Sequence, residues 1–238
     1  MKRLQVILAH AGVASRRKAA LIIEQGMVAV NGKVVREKGA RVNEKTDEIS
    51  VGGKTIFAER KVYFLLNKPR GVVTSAKDER SRKTVLDIID SVGKRVYPVG
   101  RLDMDSEGIL ILTNDGDLAF KLMHPSFEIE KVYLAKISGK FKKEDVKFLT
   151  RGIVIEGKKA RAKKVILKKS VEKYSELIIT LTEGKKRQIK RMLFCMGYRV
   201  IRLKRISYAG IKLNKLGTGD YRFLNESEVK KLYSLVGQ

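Results

Sequence analysis

Cysteine and histidine are scarce in this sequence of 238 residues. The single cysteine, Cys195, excludes an internal disulfide framework and any zinc site built from cysteines. The two histidines lie far apart in the chain, so a metal enzyme is not favoured. The sequence also lacks a P-loop and the glycine fingerprint of dinucleotide-binding proteins. These absences favour a protein without a metal ion, and they give no sign of a nucleotide cofactor.

Long apolar runs are absent as well. No stretch approaches the roughly 20 residues that a membrane span requires, and the most apolar segments have the length of strands. The N-terminus, MKRLQVILAHAG, starts with basic residues, but His10 and the helical spacing of its apolar residues are unlike a secretion signal. We expect a cytoplasmic protein and take a monomer as the default state.

Acidic residues are few relative to basic ones. The chain has 26 Asp and Glu against 52 Lys and Arg, a formal net charge of +26, and residues 129–238 hold 29 of the basic and 10 of the acidic residues. Such an excess predicts a polyanionic partner. A lysine-rich surface of a heat-adapted protein is the alternative, but it predicts matching glutamates that are missing. Nucleic acid is favoured over a membrane, because no basic amphipathic helix with a broad apolar face stands out.

The first sixty residues have the pattern of a small separate module. Apolar residues at helical spacing predict a helix that ends near Gly12, and Ser15 is placed to cap a second helix, RRKAALIIEQ, that ends at Gly26. The segment MVAVNGKVV follows, and its Asn31-Gly32 pair is a strong hairpin signal. This run resembles the S4-type RNA-binding domain, a helix–helix–hairpin module, and the resemblance implies RNA binding.

Three cations, Arg16, Arg17 and Lys18, open the second predicted helix. Positive charge at a helix N-terminus opposes the helix dipole, so their placement needs another reason. Contact with RNA phosphates is our hypothesis, and solvated surface charge is the alternative. The segment GGKTIFAERK, two glycines followed by charge, is the predicted linker. We therefore expect an S4-type RNA-binding domain over residues 1–60 and a second domain over residues 61–238.

The second domain is predicted to be α+β. Short strand patterns joined by turns are frequent after Val62, whereas helix patterns are few. Helices are predicted at KTVLDIID, which has an apolar face, and at KRQIKRMLFCMG, which ends at Gly197. This balance favours a central, mainly antiparallel sheet with flanking helices.

An acidic loop in this domain, GRLDMDSEG, carries Asp103 and Asp105 directly before the very apolar strand pattern ILILT. The two carboxylates could form an acid–base couple, bind magnesium with a third carboxylate, or act as one nucleophile and one supporting group. A free Asp titrates at about 3.9, and a nearby cation lowers that pKa further. An ordinary Asx-rich turn is the fourth interpretation. The residues alone leave the choice open.

The longer block YPVGRLDMDSEGILILTNDGDLAFKLMHPSFEIEKVYLAKISG closely resembles the pseudouridine synthases that modify ribosomal RNA, the RsuA/RluB family. Further matching blocks are LLNKPRGVVTS, RKTVLDII and EGKKRQIKRMLFCMGYRVIRLKRI, in the family's order and behind the S4-type module. The resemblance implies isomerisation of a uridine within RNA: the glycosidic bond is cut, the uracil rotates, and a carbon–carbon bond replaces the carbon–nitrogen bond. Because this reaction is redox-neutral and hydrolyses nothing, no cofactor is implied.

Roles for individual residues follow from the resemblance. Asp103, the Asp of the G-R-L-D motif, is implied as the essential carboxylate, which attacks the sugar, attacks the base or abstracts a proton, and Asp105 is expected to be structural. Tyr133 in KVY is implied to pack on the target uracil, with a core tyrosine as the alternative. Leu203 in IRLKRI is implied to line the other side of the pocket. Arg101 is implied to touch RNA near the vacated position, with a plain surface arginine as the alternative.

Lys190 departs from the family pattern. The family usually has arginine at the second position after the glutamine of R-Q-V-R-R-M, where it pairs with the catalytic carboxylate, whereas this chain reads RQIKRM. Lysine supplies the charge but not the planar fork of arginine. We expect Lys190 to be the partner of the carboxylate. Arg187 and Arg191 are expected on the same helical face, where they could support Lys190 and bind RNA.

A uridine stacked in a helix cannot reach such a site, so it must be everted, at a cost of about a few kcal/mol that is smallest in loops. The expected partner is ribosomal RNA or a ribosome assembly intermediate, and overall similarity favours large-subunit over small-subunit RNA. A non-catalytic ribosomal-RNA-binding or assembly factor on a decayed synthase fold is the alternative of another class. Lys190 favours that alternative, whereas intact Asp103, Tyr133 and Leu203 oppose it.

Overall fold

The computed structural model describes residues 1–76, 78–89 and 93–237. The chain divides into two compact units. The first consists of Met1–Val62 with the short segments Gly93–Arg95 and Asn114–Gly116, and the second holds the rest. A domain boundary at residue 60 remains a prediction. Within the described ranges, no helix combines the length and the apolar composition needed to cross a membrane.

The first unit combines two helices with short strands. Its elements are α1 (Leu4–His10), α2 (Arg16–Glu24), β1 (Lys2–Arg3), β2 (Val28–Val30), β3 (Lys33–Val35), β4 (Arg41–Val42), β5 (Ile49–Val51) and β6 (Lys54–Thr55). One sheet has the order β3-β2-β5-β6, and β1 pairs with β4. The helices and strands share one core, which includes Leu4, Leu8, Ile23, Val28 and Ile49.

Two local predictions are confirmed in this unit. The Ser15 hydroxyl accepts a hydrogen bond from the backbone N–H of Lys18 at 3.2 Å, so it caps α2. Asn31 and Gly32 have positive φ angles of 51° and 76° and connect β2 to β3 as a two-residue turn. The helix–helix–hairpin order expected for the first sixty residues is therefore present.

The second unit is built on a large, mainly antiparallel sheet. Its strands are β7 (Tyr63–Lys68), β8 (Tyr97–Pro98), β9 (Glu107–Thr113), β10 (Lys131–Ser138), β11 (Ile153–Ile155), β12 (Lys158–Ala160), β13 (Lys164–Ser170), β14 (Tyr174–Leu181), β15 (Val200–Tyr208), β16 (Ile211–Lys212) and β17 (Tyr221–Phe223). The sheet has the order β13-β14-β10-β15-β9-β7-β17, with β8 on β9 and β16 on β15, and β11 pairs separately with β12. Within the described ranges, the pairing of β9 with β15 is parallel and the others in this sheet are antiparallel. The predicted α+β class is confirmed.

Helices pack on this sheet through two apolar cores. They are α3 (Gly116–Met123), α4 (Val146–Arg151), α5 (Gln188–Cys195) and α6 (Glu226–Ser234). One core joins β10, β14 and β15 to α4 and α5, and the other joins β7 and β9 to α3 and α6. The helix predicted at KRQIKRMLFCMG is confirmed as α5, whose buried stripe includes Ile189, Met192 and Leu193.

The helix predicted at KTVLDIID is wrong, because Thr84 forms an isolated β-bridge with Val73 and residues 85–89 form bends and a turn. One carboxylate oxygen of Asp87 accepts hydrogen bonds from the backbone N–H of Thr84 at 2.7 Å and from its hydroxyl at 3.1 Å. Short polar side chains that bond to nearby groups in this way compete with helix formation. Val85 and Ile89 are nevertheless buried. Asp90, the last residue of the predicted helix, lies outside the described residues.

Candidate active site

The acidic loop lies between β8 and β9, and the segment that follows β7 holds its backbone. The Thr74 hydroxyl donates to the carbonyl of Leu102 at 2.8 Å and accepts from the N–H of the same residue at 3.3 Å. The backbone N–H of Gly71 donates to the carbonyl of Met104 at 2.8 Å. These bonds fix the chain on both sides of Asp103.

Lys68, at the end of β7, is fully buried and holds the same loop through its ammonium group. Its Nζ donates to the carbonyls of Pro69 at 3.0 Å, Asp103 at 3.2 Å and Ser106 at 2.9 Å. Burial lowers the pKa of Lys68 to about 8, although the charges of Asp103 and Asp105 act to raise it. Three carbonyl acceptors match the three donors of an ammonium group, so Lys68 is a structural support for the loop.

Gly108 allows β9 to approach β15 closely. Its φ is 105°, and a Cβ atom added there would lie 2.2 Å from the carbonyl oxygen of Arg205. In the parallel pairing, Gly108 lies opposite Arg205 and Glu107 lies opposite Lys204. A side chain at position 108 is therefore excluded. The close approach places the end of the acidic loop beside the strand that carries Leu203.

Two cations at the start of α5 reach the carboxylates of the loop. The Nζ of Lys190 lies 3.4 Å from Oδ2 of Asp103, 2.5 Å from Oδ1 of Asp105 and 3.0 Å from the hydroxyl of Ser106. The guanidinium of Arg187 lies 3.3 Å from Oδ2 of Asp105 and 3.8 Å from Oδ2 of Asp103. The two carboxylates thus share both cations, and Lys190 is nearer to Asp105 than to Asp103.

The environments of these groups place two cations beside the carboxylates and leave Asp103 within reach of a ligand. The side chain of Asp103 is 30% exposed and that of Lys190 is 12% exposed. Partial burial acts to raise the pKa of Asp105, but the hydrogen bonds and charges of Lys190 and Arg187 outweigh it and hold this pKa below its ordinary value. Asp103 therefore combines a nearby ammonium group with an accessible side.

Asp103 lines two adjoining cavities, one of about 770 Å³ and one of about 90 Å³. Tyr133 and Arg101 line both cavities, and Leu203 lines the smaller one. Tyr133 and Leu203 come from the neighbouring strands β10 and β15 and are nearly buried. The larger volume lies in the range of small-ligand pockets. The arrangement offers a carboxylate, an aromatic ring and an apolar wall to one bound group.

The structure brings most of the predicted site residues together. The converging residues are Asp103, Tyr133, Lys190, Leu203, Arg101 and Arg187. Arg191 instead pairs with Glu156 at 2.8 Å. Arg16, Arg17 and Lys18 are exposed at the start of α2, and their role in RNA binding remains a prediction. Among the residues that the structure describes, no group of three or more His, Cys, Asp or Glu side chains is placed to hold a metal ion.

Lys68, Thr74 and Arg205 are site residues that the sequence analysis did not single out. Lys68 and Thr74 lie in LLNKPRGVVTS, but Lys68 is 35 positions from Asp103, and no spacing rule indicates contact over that distance. Arg205 follows Leu203 by two positions. Because alternate residues of a strand share a face, the signal for Arg205 was available in the sequence.

The model of the RNA pseudouridylate synthase family matches residues 62–194, which include Asp103, Tyr133 and Lys190. The chain belongs to this family. Pseudouridine synthases are isomerases, and the enzyme class expected from the motifs is confirmed. The model of the S4 domain matches residues 2–49, so the S4 module of this pseudouridine synthase is confirmed as well.

Similar proteins match this pseudouridine synthase along almost its full length. The "Ribosomal large subunit pseudouridine synthase B" of Bacillus subtilis (strain 168) is 50% identical over 99% of this chain and 97% of its own length. An "Uncharacterized RNA pseudouridine synthase" of Aquifex aeolicus (strain VF5) is 43% identical over 99% of this chain and 95% of its own. The match to a crystal structure of a pseudouridylate synthase covers 98% of this chain and 100% of the other chain, with 30% sequence identity and a TM-score of 0.68. The S4 domain precedes the synthase domain in this chain, and these matches extend over both domains.

Proposed function

We propose that this pseudouridine synthase isomerises a specific uridine in large-subunit ribosomal RNA and that Asp103 is its catalytic carboxylate. The observation that carries the proposal is the placement of Asp103, which lines a cavity together with Tyr133 and has the Nζ of Lys190 at 3.4 Å. A carboxylate can attack, leave and accept a proton, so it suits each route open to this reaction. The large-subunit substrate is supported by 50% identity with the B. subtilis relative of that name.

In this proposal the uracil lies between Tyr133 and Leu203. Both side chains are nearly buried and line the small cavity beside Asp103, which supports an apolar slot for a flat ring. Lys190 places a positive charge 3.4 Å from this carboxylate, at the position where the R-Q-V-R-R-M motif has arginine. Asp105, with the shorter contacts to Lys190 and Arg187, holds these cations in place.

The target uridine has to leave its stack before it can enter the cavity. Eversion costs about a few kcal/mol in a duplex and less in a loop or an irregular region. The net charge of +26 can offset this cost through phosphate contacts. We assign such contacts to Arg101 at the cavity and to Arg16, Arg17 and Lys18 in the S4 domain. Ribosomal RNA or an assembly intermediate is the proposed partner.

Release of tritium from ribosomal RNA labelled at uracil C5 tests the chemistry, because isomerisation exchanges this hydrogen. Asp103→Ala and Asp103→Asn are expected to release none above background while they still bind RNA. Asp117→Asn, which changes an exposed carboxylate at the start of α3, is expected to match the parent. If the parent protein releases no tritium from ribosomal RNA fragments or assembly intermediates, a non-catalytic RNA-binding protein becomes the better explanation.

Pseudouridine mapping of ribosomal RNA from cells with and without the gene tests the substrate. We expect a large-subunit uridine to remain unmodified when the gene is absent, and the parent gene but not the Asp103→Asn variant to restore it. Loss of modification only in small-subunit RNA would contradict the large-subunit assignment and leave the isomerase assignment intact.

A further inference from the structure

An arginine that has no counter-charge among the described residues lies in the wall of the larger cavity. Arg205 is only 2% exposed, and its Nε donates to the carbonyl of Ile109 at 2.7 Å. Its Nη2 is buried without a hydrogen-bond partner, and in the part of the chain that the structure describes no ion pair or further hydrogen bond of this guanidinium occurs. A buried charge without a counter-charge is unfavourable. Arg205 therefore suits a partner that arrives with a ligand.

A second, half-buried cation lies near Arg205. The Nζ of Lys131, at the start of β10, donates to the carbonyls of Ile129 at 2.9 Å and Thr182 at 3.3 Å, which leaves one of its three donors. Burial and the charge of Arg205 lower the pKa of Lys131 to about 8. The ring centre of Tyr208 lies 5.9 Å from Nζ of Lys131 and 4.9 Å from Cζ of Arg205. Two cations thus adjoin one aromatic ring.

The wall of the larger cavity carries an excess of positive charge. Among the described residues, seven lysines and arginines line it, against the two acids Asp103 and Glu183. Both acids have a lysine partner, since Lys190 lies 3.4 Å from Asp103 and Lys185 lies 2.9 Å from Glu183. The acids therefore leave an excess of positive charge in the described lining, which the cavity offers to a ligand.

We propose that Arg205 and Lys131 form an anion subsite that binds a phosphate group of the nucleotide whose uracil lies at Asp103. The inference rests on the proposed function, because the phosphodiester is the anionic group of RNA. The two terminal nitrogens of a guanidinium match a pair of phosphate oxygens. Arg205 lies opposite Tyr133 in the β10–β15 pairing, and Leu203 precedes it on the same strand face. The subsite thus adjoins the proposed walls for the pyrimidine.

The volume of the cavity agrees with such an extended ligand. At about 770 Å³ it exceeds what a pyrimidine base alone fills, and the base has its own smaller space of about 90 Å³ beside Tyr133 and Leu203. The larger space remains for the ribose and a phosphate. A nucleotide should therefore bind more tightly than the corresponding nucleoside.

Binding of uridine 3′,5′-bisphosphate and of uridine to the full chain, followed by NMR shifts of the protein, tests the subsite. The parent is expected to bind the bisphosphate at least about tenfold more tightly, because charge-assisted bidentate bonds are strong. Arg205→Met should reduce this ratio to less than about twofold, and Arg205→Lys should leave an intermediate ratio, since lysine lacks the fork. Lys131→Met should lower the ratio about threefold. Uridine 3′- and 5′-monophosphate then identify which phosphate is bound.

Lys204→Met is the matched control, because Lys204 is the neighbour of Arg205 on the opposite face of β15, and it should keep the tenfold ratio. A tenfold ratio in Arg205→Met, or an equal loss in Lys204→Met, overturns the proposal. If Arg205→Met does not fold, unchanged ratios in Arg205→Lys and Lys131→Met overturn it instead. Asp103→Asn should abolish turnover and retain the ratio, so failure of the proposed catalytic function is distinguishable from failure of the subsite.

Discussion

At the scale of single residues, two cations of the site, Lys190 and Arg187, are each shared by the carboxylates of Asp103 and Asp105. The Nζ of Lys190 contacts Asp105 at 2.5 Å, Ser106 at 3.0 Å and Asp103 at 3.4 Å. An ammonium group has three rotatable donors and acts as a point charge, so it can serve several acceptors at once. Arg187 supplies the planar fork, 3.3 Å from Asp105. This sharing explains how a lysine can serve both carboxylates at this position.

Substitution of Lys190 tests that explanation. Lys190→Ala should lower the rate of pseudouridine formation at least about tenfold, which corresponds to about 1.4 kcal/mol in the barrier, because a charge next to Asp103 is lost. Lys190→Arg should retain most of the activity. Single-turnover assays on ribosomal RNA measure both, with Lys230→Ala on the exposed side of α6 as a control. Parental activity in Lys190→Ala would overturn the role of this lysine.

Lys68 is the second residue whose change has a clear expected result. Lys68→Met leaves the carbonyls of Pro69, Asp103 and Ser106 without their donor, so the free energy of unfolding at pH 7 should fall by about 2 kcal/mol. Urea unfolding of the variant and of the parent measures this difference.

The same variant has an expected pH dependence. The pKa of Lys68 is lowered to about 8 in the fold, against about 10.4 in the unfolded chain, so the unfolded chain binds more protons between these values. This group therefore makes the parent more stable as the pH rises through that window, by about 2 kcal/mol at pH 9.5. The stability gap between parent and Lys68→Met should widen from pH 7 to pH 9.5. A gap that is constant or narrows contradicts a buried, titrating Lys68.

At the scale of secondary structure elements, the parallel contact of β9 with β15 sets the site. β9 carries the end of the acidic loop, and β15 carries Leu203 and Arg205. α5 packs on the same side through Ile189 and Leu193 and extends Lys190 toward the loop. Each element alone is ordinary. The site arises because β9, β15 and α5 meet around Asp103.

Gly108→Ala tests the close approach of β9 to β15. The added Cβ would lie 2.2 Å from the carbonyl oxygen of Arg205 at a φ of 105°, so the two strands must separate. The free energy of unfolding should fall by about 3 kcal/mol, and activity should fall with it. Gly157→Ala is the matched control, because Gly157 has a φ of 74° and nothing within 4 Å of an added Cβ. It should cost only about 1 kcal/mol in urea unfolding. Equal costs at the two positions would contradict the argument.

At the scale of the whole molecule, charge is the dominant property. A net charge of +26 on 238 residues is costly through self-repulsion, and an RNA partner removes that cost. The buried and paired cations of the site, such as Lys68 and Lys190, are a small part of this charge. Most of the remainder is exposed, so RNA binding should weaken steeply with salt.

The S4 domain should contribute a measurable share of that salt dependence. Replacing Arg16, Arg17 and Lys18 together with glutamine should reduce the slope of log K against log salt by about 2, if each cation contacts one phosphate. Filter binding or fluorescence anisotropy with ribosomal RNA fragments at several salt concentrations measures the slope. Replacing the exposed residues Lys212, Lys215 and Lys230 with glutamine should change the slope by less than about 1. Equal changes in the two variants would contradict a specific role for the S4 cations.

The sequence by itself determined the local structure and the chemical class of this protein. Ser15 as a helix cap and Asn31-Gly32 as a hairpin turn depend on neighbours a few residues away, so the pattern predicts them correctly. The G-R-L-D block indicated the family, which the family match confirms, and it predicted Asp103 as the carboxylate of the site. The helix predicted at KTVLDIID failed because the Asp87 side chain bonds to Thr84 and stabilises turns instead.

The tertiary structure alone decided which groups surround Asp103. Lys68 lies 35 positions from it and Lys190 lies 87 positions from it, and sheet register and helix packing bring them into contact. The same packing brings Lys190 closer to Asp105 than to Asp103. It also buries the guanidinium of Arg205, whose Nη2 has no hydrogen-bond partner among the described residues. Spacing along a chain predicts contacts within a helix or a hairpin. Contacts between distant segments depend on how whole elements fill the space of the core, which no local pattern encodes.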